Sequence, residues 1–177
     1  MKQVILIHGS PEPDEVITTQ KEVTPDWFYW LHENVPNVVI PPMPLEVEVV
    51  YEDWLKVFEG VELSDESILV GHSCGGGFVL RYLSEHPEKL FKKIILVAPW
   101  IDVHNELSTS FMKFEIDRSI SDRLETHIFI SSDDSQGILD SVKSIKEKLA
   151  HATYHEFADR EHFCGKKEFP ELLDLIK

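Results

Sequence analysis

The stretch Ile68-Leu69-Val70-Gly71-His72-Ser73-Cys74-Gly75-Gly76-Gly77 decides how this chain is read, because it sets a hydroxyl between glycines where an apolar run stops. Ser67 to Val70 lead in as a buried strand would, and Phe78-Val79-Leu80 with Tyr82-Leu83 continue as one face of a helix. A strand turning this sharply into a helix leaves the corner residue in a strained backbone conformation, its side chain exposed at the top of a sheet. Side chains at Gly71 and Gly75 would collide as the two arms close, so Gly-x-Ser-x-Gly makes Ser73 a candidate nucleophile. Phosphate cradling does not fit. A dinucleotide fingerprint needs glycine where Ser73 stands, and a P-loop needs Gly-Lys-Ser/Thr.

Outward from this stretch, short apolar runs alternate with helical patterns. Val4 to Ile7, Asn37 to Ile40, Lys93 to Ala98, Thr126 to Ile130 and Thr153 to Phe157 read as strands, several of them apolar throughout, as in parallel sheets covered on both faces. Thr24-Pro25-Asp26 predicts a helix capped by Thr24 and containing Trp27 to Leu31. Leu45 to Phe58, Ile138 to Leu149 and Phe169 to Ile176 carry further helical spacing. This alternation predicts an α/β three-layer sandwich with a mostly parallel sheet, whose ligands bind beyond the carboxyl ends of the strands.

The 177 residues suit one domain, residues 1–177, with 42% hydrophobic and 28% charged content. No apolar run approaches a membrane span, and the opening Lys2 to Gly9 reads as a first strand and not as a signal peptide, so a cytoplasmic location is expected. Lysine and arginine number 17 against 32 acids, a formal charge of −15 that repels phosphate backbones and anionic membranes. Neither nucleic acid nor membrane is an expected partner. Cys74 and Cys164 are too few for a disulfide framework and lack the paired spacing of a zinc site. His151, His155 and His162 lack His-Glu-x-x-His spacing, so neither metal nor cofactor is expected.

A serine hydroxyl attacks only when a base takes its proton, and the base needs an acid to fix its tautomer. α/β-Hydrolases supply these in the order Ser, Asp, His. Asp133 and Asp134 both follow a late strand, and either suits the acid. His162 lies in the loop after the last strand and is the expected base, whereas His151 and His155 flank or occupy that strand. An oxyanion hole needs two donors. The Cys74 N–H is one, and Ser10 is the expected second, since Pro11 has no N–H. His8, Gly9, Trp100 and Phe163 are candidate walls of a substrate pocket, the remaining aromatics reading as core. His72 is expected to pack behind the elbow.

These residues bring a family into view. The chain resembles the small single-domain serine hydrolases of the retinoblastoma-binding-protein type. The likeness rests on Val4 to Gly9, Trp27-Phe28-Tyr29-Trp30-Leu31, Met43-Pro44 with Trp54, Val70 to Gly75 with Arg81-Tyr82, Ser132-Asp133-Asp134, and His162-Phe163. It implies a compact α/β-hydrolase core and a triad of Ser73, Asp134 and His162. The chain departs from the family at Gly9-Ser10-Pro11-Glu12-Pro13, where a glycine-rich loop is usual, and at Ser135-Gln136-Gly137, which lacks a usual proline. Between Pro99 and Thr126 only one or two helical turns fit, so an open site without a large cap is expected, acting on small carboxylic esters. The competing class is a catalytically weak or inactive hydrolase fold serving as a protein-interaction module, its protein partner not readable from the residues.

Overall fold

The computed structural model describes residues 3–11 and 17–177. Lys2 of the expected first strand and Glu12 and Pro13 of the variant loop lie outside them. Six described strands form one parallel sheet: β1 (Val4–Ile7), β2 (Val38–Val39), β3 (Ile68–His72), β4 (Lys93–Val97), β5 (Thr126–Ser131) and β6 (Thr153–Phe157), in the order β2-β1-β3-β4-β5-β6. The chain winds outward from β1 to β2, then returns to β3 on the other side of β1. That reversal is the topological switch point of open α/β sheets, where the connecting loops part to leave a crevice.

Alternate residues feed opposite layers. Ile5, Ile7, Leu69, Ile94, Leu96 and Ile128 face one core with α3 (Tyr51–Glu59) and α4 (Cys74–Glu85). Val4, Leu6, Val70, Ile95, Val97 and Phe129 face the other with α2 (Asp26–Asn34) and α7 (Pro170–Ile176). Residues of α6 (Gln136–Lys148) join both cores. Two four-residue helices, α1 (Gln20–Val23) and α5 (Ile120–Arg123), complete the described elements. The expected three-layer α/β architecture is therefore present, and α5 is the one helix between Pro99 and Thr126.

Two sequence expectations need correction. Thr24 does not cap α2: its hydroxyl donates to the Gln20 carbonyl at 2.7 Å, closing α1, and Pro25 takes the capping position with ψ 144°. The helix expected from Leu45 begins only at Tyr51. Glu46-Val47-Glu48-Val49-Val50 repeats every two residues and is β-branched, which disfavours helix. From Tyr51 the spacing changes to Tyr51, Trp54 and Phe58, all buried on one face.

The elbow glycines act by absence of bulk. A Cβ on Gly71 would lie 2.7 Å from the Gly75 carbonyl oxygen, and one on Gly75 would lie 2.4 Å from the carbonyl oxygens of both Ile7 and His8. Those oxygens are backbone at the end of β1, so relief requires moving a central strand. Gly75→Ala should cost at least ~3 kcal/mol, the upper end for overpacking, and lower Tm by roughly 6–12 °C. Gly165→Ala, with nothing within 4 Å of its added Cβ, is the control. A Gly75→Ala melt matching the control would refute the steric account.

Candidate active site

Ser73 stands at the end of β3 with φ 54° and ψ −124°, a conformation L-residues rarely occupy. Its backbone is held on both sides. The Ser73 N–H donates to the Val97 carbonyl at 3.0 Å, and its own carbonyl accepts from Gly76 at 2.9 Å and Trp100 at 3.0 Å. The strain is thus imposed by β4 and by the first turn of α4, and it turns the side chain out toward the crevice.

His162 occupies a loop after β6 that is strained and tied down at several points. Its neighbours Glu161 and Phe163 have φ of 48° and 61°. The Glu161 N–H donates to Asp133 Oδ1 at 2.9 Å, the Arg160 N–H to Ser131 Oγ at 3.0 Å, and Trp27 Nε1 to the Phe163 carbonyl at 3.2 Å. His72 Nε2 donates to the His162 carbonyl at 2.8 Å. His162 Nδ1 meets Asp134 Oδ2 at 2.9 Å and Oδ1 at 3.1 Å. A carboxylate can only accept, so the ring proton sits on Nδ1 and the lone pair on Nε2.

The neighbouring aspartates have different tasks. Asp134 contacts the candidate base, His162. Asp133 accepts from the Ser131 hydroxyl at 2.5 Å and from the loop through Glu161, and the Ser131 hydroxyl holds its carboxyl below the usual carboxylate range. The sequence offered no cue to this second role, which depends on a backbone N–H 28 residues away.

Ser73, Cys74, Asp134 and His162 line one cleft of about 570 Å³ together with Ser10, Pro11 and Trp100. No hydrogen bond joins Ser73 to His162 among the described residues. In substrate-free sites such contacts are often long and tighten in the complex. Val47, Val49, Leu107 and Ile138 complete an apolar wall that the sequence reading missed. The period-two valines at 47 and 49 were the available signal.

Two expected wall residues belong elsewhere. Phe163 is buried, stacked on Phe169 at 5.4 Å between centroids, because its left-handed backbone turns the ring into the core. His8 is also buried, edge-on to Trp54. Its Nδ1 donates to the Gly9 carbonyl at 2.6 Å. In a trans peptide the N–H points opposite the C=O, so this bond fixes the direction of the Ser10 N–H. Gly9 allows the approach, since a Cβ there would lie 3.1 Å from the Ser73 Cβ.

Burial holds the His8 ring below its ordinary pKa and, with the nearby His162, pushes His72 down to about 3. Both are neutral when folded, whereas the unfolded chain protonates them near pH 6.5. Between about pH 3 and 6.5 the unfolded state binds more protons, so stability is full above that window and falls as pH drops through it. The urea midpoint should decline from pH 7 to pH 4, and His8→Gln should flatten the decline. An unchanged slope would contradict the assignment.

The three histidines compared by spacing do not converge. His151 pairs with Asp122, and His155 meets His127 at 3.0 Å and stacks on Phe129. His72, His162 and Cys164 do converge, each offering a ligand atom within 4.8 Å of the others. Cys74 is buried and Cys164 exposed, and no disulfide joins them. No described helix is long and apolar enough to cross a membrane.

Similarity to known proteins agrees with this fold. The chain is similar in fold to the Francisella virulence factor BioJ, with 17% identity, a TM-score of 0.68, and coverage of 99% of this chain and 76% of that one. It is similar to a bromoperoxidase from Bacillus anthracis, with 17% identity, a TM-score of 0.67, and coverage of 99% and 91%. It is also similar to a serine hydrolase from the polyaromatic-hydrocarbon-degrading bacterium Cycloclasticus zankles, with 15% identity, a TM-score of 0.66, and coverage of 99% and 88%. At such identities the likeness is one of fold. No curated protein matches the chain. Residues 47–165, more than half of the chain, match the family described as serine aminopeptidase, S33. With the elbow, the Asp134–His162 pair and the parallel sheet in place, the chain belongs to that serine aminopeptidase family of α/β-hydrolases.

Proposed function

We propose that the protein hydrolyses small carboxylic esters through an acyl-enzyme on Ser73. His162 Nε2 takes the Ser73 proton as the hydroxyl attacks the ester carbonyl, and Asp134 stabilises the imidazolium formed. The N–H groups of Cys74 and Ser10 receive the developing oxyanion, and His162 returns its proton to the departing alcohol. Water activated by the same nitrogen then releases the acid. The observation that carries this reading is the Asp134–His162 pair, which leaves a lone pair at Nε2 beside a cleft shared with a strained Ser73. The finer kinship to the retinoblastoma-binding-protein-type hydrolases is part of the same proposal, supported by the residues quoted for it above.

The size of the cleft and the presence of only α5 between Pro99 and Thr126 favour short acyl groups. A panel of p-nitrophenyl esters of increasing acyl length, run beside aminoacyl p-nitroanilides, tests the substrate class. Turnover should be highest on the short esters. Preferential cleavage of the anilides would replace the ester assignment, and no turnover on either would favour a weak or inactive fold that binds a protein partner.

A further inference from the structure

A second recess of about 420 Å³ is also lined by His162, with His72, Ser73 and Cys164 among its other lining residues. His72 Nε2 bonds a carbonyl oxygen and so carries the ring proton, which leaves the Nδ1 lone pair buried with no hydrogen-bond partner. A buried acceptor without a partner is costly, and a cation bound to it would remove that cost. The His162 ring is prepared in the same way, Nδ1 held by Asp134 and Nε2 carrying the lone pair. Cys164 adds an exposed thiol, and one ligand atom from each of the three residues lies within 4.8 Å of the other two.

We propose that His72, His162 and Cys164 bind a borderline-soft divalent cation of the Zn²⁺ class, and that the bound cation occupies the His162 Nε2 lone pair that Ser73 needs and silences the site. The donor set is two imidazoles and a thiolate, with a fourth position left for water. Metal-bound histidines characteristically donate their second ring N–H to a carboxylate or a backbone carbonyl. Asp134 does this for His162, and the His162 carbonyl does it for His72. The thiol proton is released to solvent on binding. Zn–N bonds of about 2.0–2.1 Å and Zn–S of about 2.3 Å put tetrahedral ligands roughly 3.3–3.6 Å apart, so the set must contract by about 1 Å. Cys164, the exposed member of the set, is the ligand that makes this movement.

The silencing half rests on the hydrolase reading, whereas the binding half does not. Titrating Cd²⁺ into the full chain should produce thiolate-to-cadmium absorption that saturates at one equivalent in the wild type and in Ser73→Ala, and is absent in Cys164→Ser. Zn²⁺ should suppress wild-type ester hydrolysis reversibly on adding EDTA. Against its own metal-free rate, Cys164→Ser should need at least roughly 10–100-fold more zinc, the loss typical even of an outer-shell partner. No absorption in the wild type, or equal absorption in Cys164→Ser, overturns the site. Equal zinc sensitivity in wild type and Cys164→Ser overturns the silencing. If the wild type hydrolyses nothing, cadmium binding by Ser73→Ala still decides the site, and only the silencing half falls with the hydrolase reading.

Discussion

Ser73→Ala should lower the hydrolysis of p-nitrophenyl acetate by ~10⁴–10⁶-fold, to the residual catalysis that an oxyanion hole and binding provide without a nucleophile. The loss should be chemical and not structural. Alanine and serine have the same difficulty at φ 54°, and the bonds that impose the conformation, to Val97, Gly76 and Trp100, all use the backbone of residue 73. The variant should therefore melt with the wild type. A fluorophosphonate probe, which reports nucleophile and base together, should label the wild type and leave the variant unmarked. Labelling that survives the substitution would remove Ser73 from the mechanism.

Asp134→Asn carries the second-largest expected effect, ~10⁴-fold in kcat, because an amide in place of the carboxylate presents N–H to the ring and reverses its tautomer. The proton then sits on Nε2, where the base must be empty. Asp133→Asn should retain most of the activity, since an amide oxygen can still accept from the Ser131 hydroxyl and the Glu161 N–H. The pair of variants separates a group that touches the base from one that steadies its loop. Loss of activity in Asp133→Asn alone would exchange the two assignments.

The layered fold was legible because it is written in local pattern: all-apolar strand cores such as Val4 to Ile7, and helical spacing at Trp54 and Phe58. The Leu45 region failed because an apolar run rich in glutamate satisfies two periods at once, and its Pro41-Pro42-Met43-Pro44 approach keeps the backbone extended. Ser73 and His162 could be picked out from motif and chain order, and the two aspartates remained equivalent until the resemblance chose between them. What the sequence could not show are bonds from side chain to distant backbone. His72 on the His162 carbonyl, Trp27 on the Phe163 carbonyl and His8 on the Gly9 carbonyl use ordinary residue types at unremarkable spacing. Burial is also ambiguous in sequence for Phe163, where a left-handed backbone sends an aromatic ring to the core and not into the cleft.

The hydrogen bond from His72 to the His162 carbonyl links the residue just before Ser73 to the residue proposed as its base. With Trp27 and Asp133 it fixes the loop at three separate places, none of which is an apolar cleft wall. Ser73 and His162 therefore share a mount that is independent of the apolar wall of the cleft. Changes at Val47, Leu107 or Ile138 can therefore reshape the cleft without disturbing the bonds that set Ser73 and His162 beside each other.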